Sequence, residues 1–194
     1  MRMGKKGDLF WELLEPEYLG AMMFCRKLAG DRDRGDDLYQ DALVLAFTNF
    51  QDLRDRSAFR PWLYRILITS FRATVRRPWW KRRVPMTPEV ELRLTGPDPI
   101  DEYTARRWLN RAFGMISSEE QALVTLYELE DWTIGELAEL YNKSENAVKA
   151  QLFRARRKLK KALLKFSRSP KRSMDAIDGT TEDDLCTAVK PDAD

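Results

Sequence analysis

The sequence predicts an all-α fold, two small helical domains joined by a flexible linker and followed by a polar tail. Three observations carry that expectation. Apolar residues recur at helical spacing through residues 9–77 and again from about residue 100. Between these stretches the period fails, and Pro78, Pro85, Pro88, Pro97, Pro99 and Gly96 punctuate the chain. Near the end, two amphipathic segments flank a short polar break at 142–144.

The elements follow in order. Leu9, Leu13 and Leu14, then Leu19, Met22 and Met23, mark a helix that is interrupted at Pro16, resumes, and stops before Gly30. Leu38, Ala42, Leu45 and Ala46 give the apolar face of a segment over 36–50. A third segment spans 58–77, with Ser57 as its expected N-cap and Pro61 tolerated in its first turn, where N–H groups have no intrahelical partner. The domain over 8–77 is thus followed by a linker over 78–99. A second domain over 100–166 carries helices at 101–114, 118–129, 133–141 and 144–166, and residues 167–194 form an acidic, flexible tail.

With 194 residues, 43% of them hydrophobic, the chain has material for one ordinary domain or two small ones. No run is apolar enough for a membrane span, and MRMGKKGDLFWELL lacks the apolar core of a signal peptide, so the cytoplasm is the expected location. Cys25 and Cys186 offer no disulfide framework, and with no histidine there is no metal-ligand spacing; no metal or cofactor is expected. An enzyme is disfavoured too. There is no histidine base and no glycine-rich phosphate loop, and the adjacent Glu119 and Glu120 point to different faces of a helix.

Charge is informative by position, because a net +3 says little by itself. Residues 60–83 contain arginines and lysines and no acid, and residues 143–172 contain one carboxylate, Glu145. Acidic surfaces lie elsewhere, around Asp31 to Asp41 and Glu119 to Glu139. Two well-separated basic elements suit two contacts with one polyanion.

The stretch 132–159, WTIGELAELYNKSENAVKAQLFRARRKL, reads as a helix-turn-helix. Thr133 and Glu136 form a capping box, Ser144 caps the second helix, and Asn142 stands where the chain needs a left-handed residue. On a helical wheel Val148, Leu152, Ala155, Leu159, Ala162 and Leu163 form the buried stripe. Opposite them lie Asn146, Lys149, Ala150, Phe153, Arg154 and Arg157, a face suited to base edges and phosphates; the plainer alternative packs Phe153 on another helix. In 58–77 one stripe carries Trp62, Arg65, Thr69, Arg72 and Arg76, which suits DNA backbone contact and stacking on an unpaired base, or equally a solvated face. Trp79 and Trp80, beside Lys81, Arg82 and Arg83, could stack on bases or cover the domain edge.

Three motifs, DDLYQDAL at 36–43, RDRSAFRPWLYRI at 54–66 and the helix-turn-helix at 132–159, together resemble the bacterial RNA polymerase sigma factors of the compact extracytoplasmic-function subfamily. The resemblance runs from about residue 8 to 166. It implies a promoter-specificity subunit whose domains correspond to sigma regions 2 and 4. Carried over, it gives Asp37, Gln40 and Asp41 a role in docking on the polymerase core. Arg54, Asp55, Arg56, Ser57, Phe59 and Trp62, with the arginine stripe behind them, would melt and read the minus-ten element, and Lys149, Phe153 and Arg154 the minus-thirty-five element. Promoter DNA and a dedicated anti-sigma protein are the further partners implied. Departures from the family pattern at Ile68, Thr69, Asn142, Ala150 and Gln151 leave the promoter sequence open. The alternative is a stand-alone helix-turn-helix regulator, which needs neither the acidic docking helix nor a second basic helix.

Overall fold

The computed structural model describes residues 5–77 and 108–167. The expected linker, the tail beyond Ser167, the first part of the segment expected at 101–114, Trp79, Trp80 and Cys186 lie outside the described residues. Every regular element among the described residues is helical.

The first half is built from α1 (Lys5–Leu14), α2 (Tyr18–Ala29), α3 (Arg32–Thr48) and α4 (Phe59–Val75). Pro16 breaks the first apolar stretch as a 3₁₀ turn, Glu15–Glu17, because a proline there is compatible with a helix start but not with continuation. Gly30, at φ 67°, ends α2 in the left-handed conformation that only glycine adopts without strain. α3 begins four residues earlier than its apolar pattern suggested. Asp31 explains this: its side chain accepts from the Arg34 N–H at 2.9 Å and caps the helix. Gly35 lies within that helix, and a Cβ there would meet the Arg26 Cα at 2.4 Å, so glycine lets α2 and α3 approach closely.

The second half comprises α5, described over 108–113, then α6 (Ser118–Leu129), α7 (Ile134–Tyr141) and α8 (Glu145–Ser167). α6 and α7 each open with a complete capping box, Ser117 with Glu120 and Thr133 with Glu136, as expected for the second. Buried side chains from both halves, Leu28, Tyr64, Leu67, Leu126, Trp132, Leu137 and Val148 among them, form one continuous core. α2 and α4 pack on α6, and α4 also packs on α7.

An edge-to-face aromatic cluster fills the end of the first half. The Phe10 ring lies 5.3 Å from Phe47, 5.2 Å from Phe50 and 5.9 Å from Phe59 between centroids. Not every expected core position is buried. Leu38, Ala42 and Ala46 are, but Leu45, Leu19 and Met23 are exposed.

Candidate nucleic-acid interface

The helix-turn-helix is formed by α7 and α8. Asn142 adopts φ 51° and ψ 50°, and the chain closes back on α7 through the Asn142 N–H to Glu139 O at 3.2 Å and the Lys143 N–H to Ala138 O at 2.9 Å. Ser144 Oγ accepts from the Ala147 N–H at 3.3 Å and caps α8, as its position suggested. Val148, Leu152, Ala155 and Ala162 are buried, with Leu159 and Leu163 half-buried. Asn146, Lys149, Ala150, Phe153, Arg154 and Arg157 are all exposed, and Phe153 retains 66% of its surface. Among the described residues, Phe153 therefore packs on no neighbouring helix.

Ion pairs sort the cations of α8 into two sets. Arg156 binds Glu128 at 2.5 Å, Lys158 binds Glu120 at 2.7 Å, and Lys143, in the turn, binds Glu119 at 3.0 Å. These hold α8 on α6. The Lys143 ammonium beside Glu119 keeps that carboxyl below its usual range. Lys149 has only its own-helix partner Glu145, at 3.3 Å, and Arg154 and Arg157 have no ion pair among the described residues. The outward cations remain available to an external anion.

On α4 the arginines of the expected stripe lie on one face, behind a half-buried Trp62. Leu63, Leu67 and Phe71 are buried, whereas Arg65, Thr69, Arg72 and Arg76 are exposed. In front of α4, Asp55 rather than Ser57 does the capping. Its Oδ1 accepts from the Ser57 N–H at 2.9 Å and from Ser57 Oγ at 2.7 Å, opening a 3₁₀ turn over Arg56–Ala58. Those bonds from Ser57 hold the Asp55 carboxyl below its usual range. Ser57 is thus a donor to the cap, and α4 itself begins with no side-chain cap at Ala58. Arg54 and Arg56 project from this loop, both exposed.

Two aromatic expectations part company here. Phe59, placed by sequence among the reading residues, is only 3% exposed and belongs to the core. Trp62 is half-buried, 5.7 Å from Phe59 and 6.3 Å from Phe50, so Phe59 supports Trp62 from beneath.

The acidic face of α3 divides in the same manner. Asp31 is a cap, and Asp36 is held by Arg26 through two bonds of 2.6 and 3.0 Å, which lower its carboxyl. Asp37, Gln40 and Asp41 remain exposed, and Val44, 66% exposed, continues their stripe one turn on. Sequence periodicity passed over Val44, because it sits in an unbroken apolar run, residues 42–47, in which the period does not separate the two faces.

Contacts across the two halves were not legible in sequence. Trp132 is 3% exposed, with its ring 4.8 Å from Tyr64 and the Arg60 guanidinium 4.3 Å above it. Arg60 also binds Glu136 at 2.9 Å and Glu17 at 3.5 Å. The one available signal was an aromatic residue directly before a capping box, the position of a hydrophobic staple. No group of residues suited to hold a metal ion occurs among the described residues, and none of the helices there is long and apolar enough to cross a membrane.

Family models match at two places, Sigma-70 region 2 over residues 20–81 and Sigma-70 region 4 over residues 106–159. The RNA polymerase sigma factor YlaC of Bacillus subtilis is 26% identical over 165 residues, covering 83% of this chain and 95% of that protein. The RNA polymerase sigma-E factor of Streptomyces coelicolor is 26% identical over 159 residues, covering 80% and 86%. Among solved structures, the sigma factor RpoE in complex with the anti-sigma factor NepR, from Bartonella quintana, aligns with TM-score 0.58 at 21% identity, covering 82% of this chain and 98% of that one. CnrH in complex with the cytosolic domain of CnrY aligns with TM-score 0.58 at 20% identity, covering 82% and 89%. At these identities the two structures establish a shared fold.

Proposed function

This chain belongs to the sigma-70 family of RNA polymerase sigma factors, in its extracytoplasmic-function branch, and from that membership we propose how its surfaces divide the work of promoter-specific initiation. As a sigma factor it directs the polymerase to promoters. The polymerase core supplies the chemistry and this chain supplies recognition, acting in the cytoplasm. The region 2 part, residues 8–77, docks on core through Asp37, Gln40, Asp41 and Val44, and engages the minus-ten element through Arg54, Arg56, Trp62 and the stripe Arg65, Thr69, Arg72 and Arg76. The region 4 part, residues 100–166, lays α8 in the major groove of the minus-thirty-five element, with residues 78–99 joining the two. The sigma factor RpoE of Bartonella quintana is bound to an anti-sigma factor, and an anti-sigma protein is a partner proposed for this chain as well.

The observation that carries the reading is the sorting of charge on α8: cations paired with α6 on one side, and on the other Lys149, Arg154 and Arg157, none of them bound to another helix among the described residues, around an exposed phenylalanine. A solvated helix face gains nothing from an exposed Phe153. A face that meets thymine methyl groups between phosphate-binding cations does.

Run-off transcription with purified polymerase core, a supercoiled genomic template and this protein tests it. The expected result is start sites that appear only with core and weaken for Lys149→Ala/Arg154→Ala. Tight sequence-specific binding by the chain alone, with no core-dependent transcripts, would instead establish a stand-alone regulator.

A further inference from the structure

At the start of the first half, α1, the 3₁₀ turn at Pro16 and the first turn of α2 enclose a hollow of about 620 Å³. Its apolar lining is open to solvent: Trp11 is 45%, Tyr18 41% and Leu19 67% exposed, over the buried Leu14. Its charged lining is entirely acidic. Asp8, Glu12 and Glu15 are exposed, and none of them forms an ion pair among the described residues. The reverse pattern stands on α8, where Phe153, 66% exposed, projects among Lys149, Arg154 and Arg157. One surface is an apolar hollow with an acidic rim, and the other is an apolar knob with a basic rim. Within one chain they do not meet, since both are exposed. Contacts between the halves, Lys27 Nζ to Glu130 at 2.7 Å and Arg65 to Leu140 O at 3.0 Å among them, fix both surfaces on one body.

We propose that the hollow receives the α8 face of a second copy of this chain, with Phe153 seated against Trp11, Tyr18 and Leu19 and the outward cations of α8 set against Asp8, Glu12 and Glu15. Shape and sign together select this occupant. Three carboxylates repel a nucleic acid, whereas a basic helix is drawn to them, and an aromatic ring is the kind of anchor that an apolar hollow desolvates best. A contact between two different surfaces closes as a two-fold pair, in which it is used twice, or runs on head to tail. Either way, association depends on concentration. Few residues take part, so the contact belongs with the weak and transient interfaces and is expected to form above roughly 10 μM. The consequence for promoters rests on the function proposed above: an α8 seated in another copy is withheld from the minus-thirty-five element, so a surplus of free chain covers its own reading face.

The test is sedimentation velocity of the full chain from roughly 1 to 200 μM, with reductant present to keep Cys186 a thiol. The sedimentation coefficient should rise with concentration at about 0.1 M salt and stay at the monomer value at about 0.5 M, where the rim charges are screened. Glu12→Lys/Glu15→Lys and, separately, Lys149→Glu/Arg154→Glu should each weaken association at least about tenfold, since each sets like charges against one another. An equimolar mixture of the two should restore it, because the reversed hollow of one then meets the reversed α8 of the other. Phe153→Ala leaves every charge in place and should weaken association at least about fivefold, as loss of a central aromatic anchor does. All five positions are exposed, and circular dichroism checks that the variants are folded. A wild-type chain that stays monomeric throughout at low salt overturns the proposal, as does association that survives Phe153→Ala or a mixture that fails to restore it. Core-dependent transcription by the wild-type chain, measured in parallel, separates this from the functional reading: its absence removes the sigma reading and leaves the self-association standing, whereas its presence with a monomeric chain removes only the self-association.

Discussion

At the scale of single residues, α8 separates structural from recognising side chains by whether a cation has a partner on α6. Arg156 and Lys158 are tied to Glu128 and Glu120, whereas Lys149, Phe153 and Arg154 face solvent. Phe153→Ala should leave the thermal midpoint within about a degree or two, because a surface change away from a cap or core usually costs under about 0.5 kcal/mol. The same variant should weaken binding to the promoter's upstream element by about 1 kcal/mol or more, if the ring reads a thymine methyl. Fluorescence anisotropy with the mapped promoter and a scrambled duplex checks it; equal losses on both duplexes would mean that Phe153 carries no sequence information. Most of this site was legible in the sequence, since the wheel of residues 145–163 alone separates its two faces. Phe59 was not, because an aromatic residue beside basic ones looks the same whether it stacks on a base or on Phe10.

At the scale of elements, short-range chemistry decides where helices begin and end, and this is also where the sequence reading was strongest. α6 matches its expected limits because Ser117 and Glu120 sit at the spacing of a capping box. The start of α3 was missed because Asp31 caps it seven residues before the first apolar signal, Leu38, across charged residues and a glycine. Thr133→Ala should cost about 1 kcal/mol by removing the acceptor for the Glu136 N–H. At the turn, Asn142→Gly should be neutral or stabilising, whereas Asn142→Val should lose about 1–2 kcal/mol, since a β-branched residue resists φ near 51°. Thermal melts of the three variants rank them; a valine variant as stable as wild type would show that the turn had found another conformation.

At the scale of the whole molecule, the contact between the halves is what sequence did not reveal. Periodicity reports which face of a helix is buried, not which partner buries it, and Arg60 with Glu136, 76 residues apart, has no local signature. These carboxylates also set the acid response. Bonds from Thr133 lower Glu136, the bond from Lys143 lowers Glu119, and the bond from Arg26 lowers Asp36. A depressed folded value means stability that is complete above the ordinary values of 4.5 and 3.8 and lost as pH falls through the lower folded ones. Glu17 has the opposite sign: burial raises it, against the pull of Arg60, so its penalty disappears as pH falls through a value above 4.5. The thermal midpoint should therefore hold or rise slightly on mild acidification and then fall steeply below about pH 4. Glu17→Gln should abolish the small rise and leave the fall, and a midpoint that declined steadily from neutrality would contradict the assignment.

The separation of Lys27 from Glu130 along the chain, 103 residues, also gives the molecule a history during its own synthesis. At a translation rate of roughly 5–20 residues per second, Lys27 leaves the ribosome roughly 5–20 seconds before Glu130, and Arg65 of α4 roughly 4–15 seconds before the α7 carbonyls it binds. A nascent chain therefore shows its Arg65 to the nucleic-acid-rich surroundings of the ribosome before the residues that will hold it have been made.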